Sequence, residues 1–434
     1  MTLRSAYDRG ILRLALPALG ALAAEPLYVL VDTAVVGHLG RSQLAALGVA
    51  ATVFSALSMF NFLQYGTTAQ TARAAGAGED EMAAWLGGQT LWLSLGFGVV
   101  LASLIAVFAS PIVHLVGAHG ATAGYAATYL RIVAVGVPSA FLALGGQGFL
   151  RGVSDLRTPL IFIVAGNVAN VVLEVVFVYG FDWNIRGSAW GTAIAQTGMG
   201  VGIAWAIWRR VGRARLAFRW DLARRLLSIG KYIFARTVAL MSSFILAGAV
   251  VARLGDAPLA AHQVAFQLWI FFALVLDAIA IAGQIIVGRE LGAGRAEAAY
   301  AASARMIWLS VAMGTAFTVA LFALQGVLPH IFTGDKAVLA QCALLWPFLA
   351  LMQPLNGAVF ALDGILIGAS DGRFLAVSMA AAFAACAIVL LVSLHEGWGV
   401  RGVWAGLVLL IVVRLATLSA RFNRRRWLVT GWSS

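Results

Sequence analysis

Two carboxylic acids and the polar residues spaced around them carry the most reactive pattern in the sequence. Asp32 lies in one long apolar stretch and Glu174 in another, four residues after Asn170. A spacing of four puts Asn170 and Glu174 on one face of a helix, with Asn167 one turn before them. Thr192 adds a hydroxyl in the next stretch. Asp32, Asn170, Glu174 and Thr192 can turn only oxygen atoms toward a small hard cation such as Na+. Alternatively, two acids in one desolvated site can hold a proton between them. A third reading makes them a buried polar knot that satisfies helix ends or bends.

Other ionisable groups share the apolar stretches. Glu25 lies seven residues before Asp32, hence on the same helical face, and Pro17 and Pro26 punctuate that helix. Each proline removes a backbone hydrogen bond and allows a bend. Asp277 and Asp363 fall in later stretches, and Arg131, Arg236 and Arg414 are the basic counterparts at comparable depth. A charge at the centre of a bilayer costs roughly 2.5–3.5 kcal/mol or more, so such acids are expected to face an interior cavity. Tyr28, Asn61, Gln64, Gln147, Asn167 and Gln196 are candidate lining for it. The histidines flank the apolar stretches without metal-ligand spacing, no H-E-x-x-H pattern occurs, and no catalytic residue or bound cofactor is expected.

The elements that position these residues follow from composition. Of the 434 residues 62% are hydrophobic and 11% charged, and the mean hydropathy is +0.91. No soluble core buries that much apolar sequence, so lipid is the missing partner. Apolar stretches at 11–37, 44–72, 84–116, 121–150, 158–181, 187–208, 224–252, 258–288, 299–328, 336–367, 374–394 and 400–420 predict an all-α integral membrane protein of about twelve spans. The net charge of +12 would suggest nucleic acid in a soluble chain. Here the arginines cluster on alternate joints, among them Arg73, Arg151, Arg157, Arg289 and Arg305, and at both ends of the chain, which puts both termini in the cytoplasm. Arg209 to Arg225 forms the longest polar joint. Trp92, Trp183, Trp205, Trp208, Trp398 and Trp427 lie near span ends and read as interfacial anchors. The arginine-rich, lysine-poor composition points to a bacterial cytoplasmic (inner) membrane.

An internal repeat divides the chain. Gly148 to Arg157 and Gly364 to Arg373 share the pattern G-x-L-x-G-x-S-D-x-R, and Pro138 and Pro354 precede them at the same offset. Leu39-Gly40 with Leu44-Ala45-Ala46 recurs at Leu254-Gly255 with Leu259-Ala260-Ala261. Trp183, Arg186, Gly187 and Gly191 recur at Trp398, Arg401, Gly402 and Gly406. The expected plan is two six-helix lobes, 1–210 and 226–434, joined by a cytoplasmic linker at 211–225. An even number of spans per lobe relates them by a pseudo-two-fold axis along the membrane normal, a plan common in secondary transporters. The repeat takes Asp32 to Ala247 and Glu25 to Leu240, so the acids are not repeated.

These features resemble the multidrug and toxic compound extrusion (MATE) family over nearly the whole chain. Leu362 to Ala369 and Leu276-Asp277-Ala278 with Gly283-Gln284 and Gly288 resemble its DNA-damage-inducible F (DinF) branch. The resemblance implies an aspartate on the first helix that binds the coupling ion, at Asp32, near a bent helix bearing Pro17. It also implies an asparagine and an acid on the fifth span, at Asn170 and Glu174, and a hydroxyl at Thr192. The family's usual acid at position 174 is aspartate, so the glutamate is a departure. The function implied is antiport by a monomer: H+ or Na+ enters and a small amphipathic, often cationic organic compound leaves. The alternatives are a lipid-linked precursor flippase of the same superfold and a non-transport membrane protein.

Overall fold

The computed structural model describes residues 7–432, with the side chain of Glu25 outside the described set, and every regular element within that range is helical. The chain forms two compact units. The N-terminal unit is Gly20–Gly230; the C-terminal unit is the chain from Lys231 onward together with the segment through Leu19. Both divisions fall inside helices, α1 (Asp8–Gly37) and α9 (Trp220–Ala252). The start of α1 therefore groups with the second half of the sequence, which the expected lobe boundaries did not foresee. Asp8 supplies a physical reason. Arg305 donates to its carboxylate through Nε at 2.7 Å and Nη2 at 2.8 Å, a two-pronged pair that pins the first turn of α1 to α11 (Ala296–Ala323).

In the N-terminal unit the helices are α2 (Arg41–Ala56), α3 (Phe62–Gly76), α4 (Asp80–Leu115), α5 (Gly120–Ala134), α6 (Val137–Gly152), α7 (Arg157–Val175) and α8 (Asn184–Val211). After α9 come α10 (Asp256–Gly292), α11, α12 (Leu328–Phe332), α13 (Lys336–Leu351), α14 (Gln353–Gly368), α15 (Gly372–His395) and α16 (Gly399–Asn423). Among the described residues nine helices are long and apolar enough to cross a membrane, or eleven when the bent pairs α5–α6 (56°) and α13–α14 (47°) each count as one span. The remaining expected span is α8, which is 28 residues long but diluted by glycines, Thr192, Gln196 and Thr197. Pro138 and Pro354 stand at the start of α6 and α14, where a missing N–H is tolerated but the helix before it cannot continue. By contrast α1 is helical without a break through Pro17 and Pro26. Leu30, Val107, Ile161, Ile245, Val319 and Ile388 remain exposed, the outward apolar surface that lipid covers.

The repeat is legible as packing. Within its own unit α6 packs on α3, α4 and α8, and α14 packs on α10, α11 and α16. A Cβ on Gly148 would fall 2.5 Å from the Gln64 carbonyl oxygen, and one on Gly152 3.0 Å from that of Thr68. In the other unit Gly364 would meet the Ala280 oxygen at 2.3 Å and Gly368 the Gln284 oxygen at 2.6 Å. The two glycines of the shared motif are thus the points where helix backbones touch. The Ser-Asp that follows also repeats its shape. Ser154 (φ 64°) and Ser370 (φ 60°) both take the left-handed conformation, and the next residue pairs with an arginine of its own unit: Asp155 with Arg210 at 3.3 Å, Asp371 with Arg421 at 2.6 Å.

Two expectations about the ends of spans are corrected. Arg73, Arg151 and Arg305, read as loop charges, are buried within helices; Arg151 donates to Gln147 Oε1 at 3.3 Å and Arg305 pairs with Asp8. Trp427 is not an interfacial anchor. It is 1% exposed, stacks on Phe422, and donates its indole N–H to the Phe422 carbonyl at 3.1 Å.

Candidate functional site

The close approach of α8 to α7 builds the acid site. A Cβ on Gly187 would lie 2.7 Å from the Phe177 backbone, and one on Gly191 3.1 Å from the Glu174 nitrogen. Without side chains at these two positions, one turn apart, α8 seats against the C-terminal end of α7. The residues that follow each glycine then reach the polar groups. Ser188 donates to Asp32 Oδ1 at 2.8 Å. Thr192 Oγ1 accepts from Asn170 Nδ2 at 3.2 Å and lies 3.3 Å from the Tyr28 hydroxyl. Directly after Glu174 and Val175 the chain widens into a π-helical turn, Val176–Gly180, a distortion often found beside functional groups.

The site has more acceptors than donors. Glu174 is fully buried, and Asn170, Thr192 and Asp32 are 2%, 4% and 5% exposed. Neither carboxylate oxygen of Glu174 has a hydrogen-bond partner among the described residues, and neither does Asn170 Oδ1. Asp32 is near enough for its charge to act on Glu174. Buried polar atoms are nearly always satisfied, and three orphaned acceptor oxygens beside a second carboxylate have the chemistry to accept a cation or a proton. The described residues contain no group of three or more His, Cys, Asp or Glu that could hold a metal ion. An ion here would depend on the amide and hydroxyl oxygens as well as the acids.

A cavity of about 300 Å³ lies on the other side of Asn170 and Thr192. Tyr28, Asn61, Gln64, Gln147, Asn167 and Gln196 line it, whereas Asp277 and Asp363, also expected to face a cavity, are not among its lining residues. Arg151 joins them, and the Gln64 amide donates to Gln147 Oε1 at 3.2 Å. Asn167 also donates to the Ala24 carbonyl at 3.0 Å, which ties α7 to α1. Asp32 and Glu174 are not among the lining residues. They stand one layer back, behind Asn170 and Thr192.

Two members of the acid site were missed. Ser188 precedes Thr192 by four residues, a helical spacing that would have found it. Tyr129 of α5 is buried beside Asp32, Tyr28, Thr192 and Ser188, and no polar periodicity marked it. The remaining candidates lie elsewhere. Asp277, on α10, is half-buried, and Asp363, on α14, pairs with Arg236 and Arg414, all in the C-terminal unit. Arg131 is exposed. The side chain of Glu25 lies outside the described residues.

A duplicated, all-helical chain of many spans with a polar cavity defines a polytopic membrane transporter. The chain belongs to the MatE family of secondary transporters, whose model matches it twice, at residues 17–176 and 233–392, two copies at the spacing of the internal repeat. It is similar to Protein DETOXIFICATION 44, chloroplastic, of Arabidopsis thaliana (32% identity over 96% of this chain and 82% of that protein). It is also similar to DNA damage-inducible protein F of Escherichia coli (31% identity over 100% and 95%). Its fold matches a crystal structure of MATE in the bent conformation with a TM-score of 0.87 and 22% identity, covering 98% of this chain and 96% of that one.

Proposed function

We propose that this transporter is a cation-coupled antiporter of a bacterial inner membrane that exports small amphipathic, often cationic organic compounds by alternating access. The observation that carries the reading is the layered arrangement of the N-terminal unit. A cavity of about 300 Å³ shares Asn170 and Thr192 with a buried, acceptor-rich acid pair. Occupation of Asp32 and Glu174 by H+ or Na+ removes negative charge behind the cavity wall. A cationic compound in the cavity is then held less strongly, and the hydrogen bonds of Thr192 with Asn170 and Tyr28 are the route by which the change reaches it. Such coupling requires different affinities in the two states and nothing more. A bend of α1 at Pro17 or Pro26 would add to it by moving Tyr28 and Asp32 together.

The amide and hydroxyl character of the cavity favours this reading over a lipid-linked precursor flippase, since among the described residues Arg151 is the one basic residue lining it. The test is uphill export of a fluorescent cationic dye from proteoliposomes under separately imposed H+ and Na+ gradients. Export driven by one gradient alone identifies the ion. Export that proceeds equally with both gradients collapsed refutes coupling.

A further inference from the structure

The joint between α8 and α9 carries charge that cation coupling does not use. From Arg209 to Arg225 the chain has seven arginines and one acid, Asp221. Gly212 (φ 77°) turns it out of α8, and it then lies back along α4. A Cβ on Gly88 would run into the Arg215 carbonyl oxygen. The Gln89 side chain bonds the Ala217 carbonyl and the Arg219 backbone N–H, and the Trp92 indole N–H donates to the Leu216 carbonyl. The Arg219 guanidinium lies 5.3 Å from the Trp85 ring. These contacts fall on the second to fourth turns of α4, where its apolar stretch begins. The joint is thus held at the level where a span enters the membrane.

Aromatic rings are interleaved with the arginines. Trp205 and Trp208 near the end of α8, and Phe218 and Trp220 on the way into α9, are all exposed. The Arg209 guanidinium sits over the Trp205 ring at 4.9 Å, and the Phe218 and Trp220 rings are 6.3 Å apart. Such rings favour the zone where apolar chains meet headgroups. Three of the arginines have an acid of their own: Arg210 pairs with Asp155 at 3.3 Å, Arg215 with Glu81 at 3.6 Å and Arg219 with Asp221 at 2.7 Å. Arg209, Arg213 and Arg224 are exposed and have no acid partner among the described residues. Their counter-charge has to come from outside the chain, at the depth of the lipid headgroups.

We infer that this joint is a binding surface for anionic phospholipid, with headgroup phosphates taken by Arg209, Arg213 and Arg224 and acyl chains running along Trp205 and Trp208. A guanidinium fork matches phosphate in geometry and charge, and basic residues beside a span attract anionic lipid. Docking on α4 is what distinguishes this segment from a loose basic loop: Gly88, Gln89 and Trp92 fix its backbone, so the arginines are presented at one depth. The surface does not depend on the coupling proposed for Asp32 and Glu174.

The test is native mass spectrometry of the purified, delipidated transporter titrated with dioleoyl-phosphatidylglycerol or dioleoyl-phosphatidylcholine. No gradient is present, so failure of this test and failure of gradient-driven export are separate results. The wild type is expected to bind phosphatidylglycerol about tenfold or more tighter than phosphatidylcholine. Each basic residue near a membrane surface favours anionic lipid about fivefold, so Arg209→Gln, Arg213→Gln and Arg224→Gln combined are expected to bring the ratio close to one. Arg424→Gln with Arg426→Gln, equally exposed arginines of the C-terminal tail, should leave it unchanged. Gln89→Ala with Trp92→Phe, which frees the joint and removes no charge, should lower it about threefold. Equal binding of the two lipids by the wild type, a ratio unmoved by the triple variant, or an equal loss from the tail variant overturns the inference. So does displacement of the lipid by soluble glycerol 3-phosphate, which would assign the surface to a free phosphate.

Discussion

Asn170 donates its side-chain amide to Thr192 Oγ1 at 3.2 Å, and this pair is both the wall of a cavity and the cover of two acids. One face of each residue belongs to the space a solute would occupy. The other belongs to Asp32 and Glu174. Loss of either acid is therefore expected to uncouple transport while leaving the cavity intact. Asp32→Asn and Glu174→Gln should each reduce gradient-driven dye export about tenfold or more, with dye binding at equilibrium still measurable and the melting temperature of the purified protein little changed. Wild-type export by both variants would remove the acids from the mechanism.

Asp363 should behave otherwise. Its carboxylate is the acceptor for a two-pronged bond from Arg236 and the counter-charge of Arg414. Asp363→Asn leaves buried guanidinium charge uncompensated, a change that costs about 3–5 kcal/mol. Thermal melting in detergent is expected to show a large drop for Asp363→Asn and a small one for Asp32→Asn. Equal drops would mean that both acids are structural.

The motif glycines give a prediction that comes in a matched pair. Gly148→Ala and Gly364→Ala would each push a methyl into a carbonyl oxygen, of Gln64 and Ala280 respectively. Neither oxygen belongs to a flexible side-chain end, so helices must separate, at about 1–3 kcal/mol. Both variants should melt earlier by similar amounts. A Gly10→Ala control, with nothing within 4 Å of the added carbon, should not.

Gln89 is the clasp of the central joint. Fully buried on α4, it donates to the Ala217 carbonyl at 2.9 Å and accepts from the Arg219 backbone N–H at 2.7 Å. Gln89→Ala removes both bonds and is expected to cost about 1–3 kcal/mol locally. Limited trypsin digestion should then cut faster at Arg213, Arg215 or Arg219, with cleavage elsewhere unchanged. An unaltered digestion rate would show that Trp92, whose indole N–H donates to the Leu216 carbonyl at 2.7 Å, holds the joint alone.

What the sequence disclosed and what it hid follow from the same physics. Span number and repeat were legible because hydrophobic length and glycine spacing are local properties of the chain. Asn170 and Glu174 were legible because helical periodicity set them on one face. Tyr129 was not, since a lone tyrosine in an apolar span looks the same whether its hydroxyl meets lipid headgroups or Asp32. The pairing of Asp363 with Arg236 and Arg414 was hidden for a different reason: three residues on three helices meet only through tertiary packing. The sharing of α1 between two units depends on Asp8 finding Arg305, nearly three hundred positions away.

The polar make-up of α8 bears on how the protein is made. A segment carrying Ser188, Thr192, Gln196 and Thr197 among glycines is a poor candidate to enter a bilayer alone. Its partner α7 is apolar enough to cross, precedes it in the chain by a short connection, and supplies Asn170 to bond Thr192. The two are expected to enter the membrane together as a hairpin. Any change that makes the acid site more polar therefore also makes biogenesis harder, and the chemistry available at this site is bounded by what the insertion machinery accepts.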